Sequence, residues 1–297
     1  MNTLRKSKKN IGFIFILPWF VGFLVFKAYP IILSLYYSFT DYNFFRGVTT
    51  YTLQNYKDMY VNQTDRAALI VTIKYVFMTV PIKLIIALGV ALLLNKRSKM
   101  VNFFKVVYYL PAILGGSVAI AVLWKAIFND NGLIHGLCKM VGMQAPKFMT
   151  NPFWALFMLG TLNIWQFGVF MLIFLTALNM VPKELYEVAS IDGAGRMKQF
   201  FYITLPQITP IIFYNIVTGV VVSFQDFNGP FIITRGGPLG STTLMSLMIY
   251  NNAFKTFNMG KASAQSWVLF VLLAIFTALA FITQKYWVYQ PEDDGKK

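Results

Sequence analysis

Cysteine and histidine are all but missing from this 297-residue sequence: Cys138 and His135 are each the sole residue of their kind. No intrachain disulfide can form, and no His/Cys cluster of the three or four ligands that a tight metal site needs can be assembled. The two lie three apart in an expected outer loop and read as unrelated loop residues. Charge is scarce as well. Asp, Glu, Lys and Arg make up 12% of the chain, against roughly 25% in soluble globular proteins, too little to cover a soluble surface. Acidic residues are scarcest, 11 against 26 basic ones, for a formal charge of +15. The basic residues flank apolar runs instead of lining one face, which argues against nucleic acid as a partner. No internal repeat is visible. No GxxxxGK[ST] phosphate loop occurs either, so any ATP hydrolysis belongs to another chain.

What the sequence has in excess is apolar surface, with 57% hydrophobic and 17% aromatic residues. A helix needs about 20 mainly apolar residues to cross a bilayer core, and six stretches qualify: 11–39, 69–94, 104–128, 153–180, 207–227 and 264–289. They lack the alternation of barrel strands, so only helices satisfy their backbone in lipid. The expected fold class is an all-α polytopic membrane protein with six transmembrane helices. The first stretch follows Arg5, Lys6, Lys8 and Lys9 but runs on through Pro18 and Pro30 with no small-residue cleavage site, so it reads as a retained helix and not a signal peptide. Basic residues gather on the cytoplasmic side. With the N-terminus inside, the inner segments hold 14 Lys and Arg in 59 positions and the outer ones 9 in 92. Both termini are therefore expected in the cytoplasm. The expected organisation is a tail over 1–10, a transmembrane domain over 11–289 and a tail over 290–297.

The inner segment 181–206 is more than a connection. Pro182 suits a first helical position, and Glu184 and Glu187 complement the positive end of a helix dipole. Leu185, Val188, Ala189 and Asp192 share one helical face. Gly193 and Gly195 end this helix, and a second short one is expected over 196–203, stopping before Leu205-Pro206. Read alone, this is a helix–Gly–helix element with a small apolar face, or an amphipathic helix lying on the membrane.

Glu187-x-Ala189-x-x-Asp192-Gly193-Ala194 followed by Ile203-x-Leu205-Pro206 resembles the EAA loop of ABC-importer permeases, with Val188 where the family usually has a second Ala. Three further stretches resemble the sugar-importer branch: Tyr29-Pro30 through Asn43; Leu92-Leu93-Leu94-Asn95-Lys96 with Phe103-Phe104 and Leu110-Pro111; and Thr234-Arg235-Gly236-Gly237-Pro238 with Thr242-Thr243-Leu244. The last is similar to the maltose/glycerol-phosphate permease type. The resemblance implies a type I importer permease fold in the cell membrane and no catalytic residues. It also implies a second permease subunit, two ATPase subunits that bind ATP and Mg, and an extracellular solute-binding protein. Glu187, Ala189, Asp192, Gly193, Ala194, Leu205 and Pro206 would then form the element that docks on the ATPase. The solute implied is a sugar, with a glycerol phosphate or an anionic uronate oligosaccharide as alternatives. A secondary transporter working alone would be expected to show related halves, which are absent here.

Polar residues inside spans face a cavity or a partner helix. Asn163, Trp165, Gln166 and Phe170 in the fourth stretch, with Ser223, Gln225 and Asp226 ending the fifth, match positions that line the sugar site in the maltose-type permease. Amides and a carboxylate suit hydroxyls, and Trp165 and Phe170 would serve as platforms for a pyranose ring. Interhelical bonding is the competing account, and Asp226 could simply be solvated. Lys27 and Lys74 are expected to snorkel outward. Lys83 lies in a long apolar run, where it would make a cavity basic.

Overall fold

The computed structural model describes residues 15–289 except Arg97, so the tails over 1–10 and 290–297, with residues 11–14 of the first stretch, lie outside the described residues. Helices dominate, and among the described residues only isolated bridges pair extended backbone, Thr40 with Tyr51 and Asn43 with Gly47. Among the described residues three helices are long and apolar enough to cross a bilayer unaided: α1 (Phe15–Ser38), α3 (Gln63–Leu93) and α13 (Met259–Trp287). Three further helix pairs are long and apolar enough only when taken together, and each is bent at a short break. Lys99–Leu114 (α4) meets the segment Val118–Met140 at 101°, Pro152–Trp165 (α7) meets Gly168–Met180 (α8) at 45°, and Arg196–Gln207 (α10) meets Thr209–Phe224 (α11) at 63°. The segment after α4 comprises α5 (Val118–Phe128) and α6 (Leu133–Met140). The short helices α2 (Gln54–Val61), α9 (Lys183–Ile191) and α12 (Met245–Tyr250) complete the set.

Two expectations are corrected. The stretch 104–128 is not one run, because Gly115-Gly116 have low helix propensity and Ser117 opens a new helix, its Oγ accepting the Ile120 N–H at 3.2 Å. The second short helix of the 181–206 segment does not stop before Leu205-Pro206 but runs through them to Gln207. Pro206 stands in the first turn after a π-turn over Phe200–Thr204, where its missing N–H costs little. The fifth span accordingly starts at Thr209.

The described residues up to 62, with 249–268, form one compact unit, and 63–248 with 269–289 form a second. In the first unit the loop after α1 is tied down by side chains. Asn55 Nδ2 donates to the Ser38 and Thr40 carbonyls at 3.1 and 2.7 Å, and Tyr56 donates to Ser38 Oγ at 2.8 Å. Asp41 accepts the Thr50 and Thr49 amide protons at 2.8 and 2.9 Å, and those donors hold its carboxyl down at about 2, so it stays ionised at any pH a cell meets. Gly260 lets α13 approach this loop, since a Cβ there would collide with the Thr40 carbonyl oxygen.

In the second unit α3 is the central post, packed by α8, α11 and α7. Ala87 and Ala91 are wholly buried on it and let neighbouring helices come close, as small residues do in membranes. Met171, Phe174 and Phe224 fill the core around them. At the break between α7 and α8, Gly168 lies so near α4 that a Cβ would meet the Tyr108 carbonyl oxygen.

Candidate functional site

The breaks in the spans build the site. Backbone groups freed inside a membrane must find partners, and here they find side chains. Gln166 Nε2 donates to the Gly115 carbonyl at 3.2 Å and Asn228 Nδ2 to the Gly116 carbonyl at 3.0 Å. Gly115 leaves room for this contact, because a Cβ there would overlap the Gln166 side chain as it now lies and displace it. Between the α4–α5 break, the end of α7 and the turn after α11 lies a cavity of about 300 Å³ whose polar lining is Asn163, Gln166, Gln225, Asp226 and Asn228.

Behind that lining runs a buried polar network. Tyr75, on α3, donates its phenol proton to Asp226 Oδ2. Asn163 donates Nδ2–H to the same oxygen at 3.4 Å, and its Oδ1 accepts from Lys83 Nζ at 3.2 Å. Lys83 also stands 5.0 Å from the centre of the Phe170 ring, within cation–π reach. The Asp226 carbonyl accepts from Ser246 Oγ at 2.5 Å. Asp226 is thus held by partners and is not merely solvated. Lys83 is buried but does not line the cavity, so the basic wall expected from it is corrected: the formal charge on the described lining is the Asp226 carboxylate. Lys27 and Lys74 are exposed.

Of the sequence-derived sugar residues, Asn163, Gln166, Gln225 and Asp226 come together on this cavity, while Trp165, Phe170 and Ser223 do not line it. Trp165 packs on Trp124 with ring centres 5.3 Å apart, Phe170 is buried under Lys83, and Ser223 is buried in the last turn of α11. Sequence reasoning missed Tyr75, Asn228 and the two glycines; Gly115-Gly116-Ser117 inside an apolar run was the available signal. A larger groove of about 500 Å³ between α3, α11 and α13 is lined almost wholly by apolar side chains and would leave sugar hydroxyls unpaired. His135 Nε2 lies 4.0 Å from Asp130, and no group of three His, Cys, Asp or Glu among the described residues is placed to hold a metal ion.

The second element is the knob made by α9 and α10. Gly193 has φ +74° and closes α9 with paired bonds, Ala194 N–H to the Ala189 carbonyl at 2.8 Å and Gly193 N–H to the Ser190 carbonyl at 3.1 Å. Gln199 Nε2 donates to Ser190 Oγ and to the Ala194 carbonyl, each at 3.0 Å, and the Tyr186 and Thr204 hydroxyls bond at 2.8 Å. Tyr186 and Ile203 pack on the core below, which roots the knob in the spans. Its surface is apolar for an exposed segment: Val188, Ile191 and Met197 are 59%, 86% and 69% exposed. Glu187 and Asp192 are exposed around these side chains, Ala189 and Ala194 are half-buried in the cap, and Leu205-Pro206 belong to the helix leading back to α11.

The family described as "Binding-protein-dependent transport system inner membrane component" matches residues 59–288. The chain is 42% identical over 297 residues to the probable ABC transporter permease protein YesP of Bacillus subtilis (strain 168), covering 97% of this chain and 96% of the relative. It is 30% identical over 283 residues to the arabinooligosaccharides transport system permease protein AraP of the same organism, covering 92% and 88%. Among solved structures, a chain of a bacterial alginate ABC transporter in complex with an alginate pentasaccharide-bound periplasmic protein superimposes with a TM-score of 0.79 at 20% identity, covering 94% of this chain and 95% of that one.

Proposed function

The chain belongs to the family of binding-protein-dependent transport system inner membrane components, and we propose that the solute it conducts is an oligosaccharide. The observation that carries this reading is the cavity at the broken spans, whose amides and carboxylate can donate to and accept from sugar hydroxyls. Discontinuous helices meeting at a polar cavity are a recurrent way to build a solute path through a membrane. A relative whose name assigns it arabinooligosaccharides, and the fold shared with an alginate transporter, support the same class.

In this reading the chain forms one wall of the pathway, with a second permease forming the other. A solute-binding protein delivers sugar from outside, and two ATPase subunits bind the nucleotide and dock on the α9–α10 knob. ATP binding draws the ATPases together, the knob moves as a rigid body, and the spans attached to it open the cavity outward; hydrolysis resets it. Asn163, Gln166, Gln225 and Asp226 contact passing sugar, and Asn228, on the same lining, ties the wall to the Gly116 carbonyl. Both termini lie in the cytoplasm.

Single-cysteine labelling in a Cys138→Ser background tests the orientation. Gly240→Cys should react with an impermeant thiol reagent added outside, and Ser98→Cys should react only after permeabilisation. The reverse pattern would put the knob outside and end the proposal. An ATPase should copurify with the tagged chain; a chain that purifies alone and still transports would be a secondary transporter.

A further inference from the structure

We propose that Lys83 is a positioning residue for sugar passage: through the Asn163 amide it holds the Asp226 carboxylate aimed at the cavity, so that the two charges work only as a pair. The inference rests on the cavity being the sugar path.

A charge buried in a spanning helix is costly unless paired, and Lys83 is 5% exposed in the middle of α3. One side chain, Asn163, links it to the Asp226 carboxylate. The amide of Asn163 stands between them, its Oδ1 accepting from Lys83 at 3.2 Å and its Nδ2 donating to Asp226 at 3.4 Å. Turned over, the amide would set its N–H groups against the ammonium and its oxygen against the carboxylate, so the two charges fix its orientation. Tyr75, two turns before Lys83 on the same face of α3, adds a second donor to Asp226 Oδ2. Two helices, α3 and α7, thus converge on one carboxylate, and only Asn163 and Asp226 of the four residues line the cavity. Lys83 and Tyr75 touch no sugar; they determine what the wall presents to it.

A merely space-filling Lys83 would make its replacement by methionine harmless in a membrane, since an apolar residue of similar length removes a desolvation cost. The pair predicts the opposite. Lys83→Met strands the Asp226 charge, and Asp226→Asn in the same chain removes the charge that was stranded. The test measures uptake of the oligosaccharide carried by the wild-type complex, and the yield of assembled complex, for Lys83→Met, Asp226→Asn and the double variant. Lys83→Met and Asp226→Asn each strand one charge and should each lose uptake by on the order of tenfold or more, and the double variant, which strands neither, should exceed both singles. If Lys83→Met fails to assemble, assembly of the double variant supports the pair. Wild-type uptake in Lys83→Met overturns it, as does a double variant no better than Lys83→Met in uptake or yield. A wild-type complex that moves no oligosaccharide refutes the sugar reading itself, and rescue of assembly then still reports on the pair.

Discussion

Replacing Gly193 by valine should cut transport about tenfold or more while leaving the membrane-spanning fold in place. At φ +74° the residue occupies the left-handed region, and a Cβ there meets nothing within 4 Å, so the cost is conformational and not a clash. A β-branched residue in that region costs on the order of 1–2 kcal/mol, which the chain avoids by giving up the two cap bonds from Gly193 and Ala194. A shift of that size depopulates the docking geometry about tenfold. Val188, Ile191 and Met197 would then meet the ATPase at the wrong angle. The purified variant complex should show normal insertion but reduced ATPase retention, or hydrolysis that the binding protein no longer stimulates. Gly142→Val is the control: it imposes the same left-handed strain, at φ +75° with nothing within 4 Å, outside the knob and should leave ATPase retention at the wild-type level. Normal uptake and stimulated hydrolysis in Gly193→Val would mean that α9 and α10 are not the coupling element.

The second large effect is expected at Asn163. Alanine there removes the acceptor of Lys83 and one donor to Asp226 together, leaving a buried ammonium without its hydrogen bond. Losing a partner of a buried polar group costs on the order of 1–3 kcal/mol, and more where charge is involved, or a roughly 10- to 100-fold fall in uptake. Uptake per assembled complex is the quantity to measure, against Trp165→Ala. Trp165 packs on Trp124 instead of facing the cavity, so its truncation should lower the yield of complex more than the rate of each complex. Equal rates for wild type and Asn163→Ala at limiting sugar would remove the cavity from the pathway.

Much of this molecule was legible in its residues because a bilayer leaves few options. Long apolar runs must become helices, and the structure has three such helices and three bent pairs where six runs were read. The knob's start and stop were legible for a local reason, since Pro182 and Gly193 bound α9 within a dozen residues; of the expected face, Val188 is joined on the surface by Ile191 and Met197, while Ala189 is half-buried in the cap. The cavity was only partly legible. Polar residues in the fourth and fifth runs stood out against hydrocarbon, and four of the seven named there converge. Which way each side chain points depends on where the spans break. Gly115-Gly116-Ser117 turns the chain by 101° and brings two carbonyls to Gln166 and Asn228, a long-range pairing that no local spacing encodes. Trp165 and Phe170 looked like sugar platforms because aromatic rings serve both packing and stacking, and only tertiary neighbours separate the two uses. Lys83 looked like a basic wall for the same reason: α3 alone does not reveal that Asn163 stands in front of it.

The most direct test of the central claim is flux through the purified complex. The wild-type chain, copurified with its partner permease and ATPases, would be reconstituted into proteoliposomes with ATP enclosed and the binding protein outside. A panel of labelled oligosaccharides would be offered. At least one should accumulate inside only when enclosed ATP and external binding protein are both present, and omission of either should return uptake to the leak rate. Sugar entry that needs neither, or ATP-dependent entry of a non-sugar solute with every oligosaccharide excluded, would contradict the account.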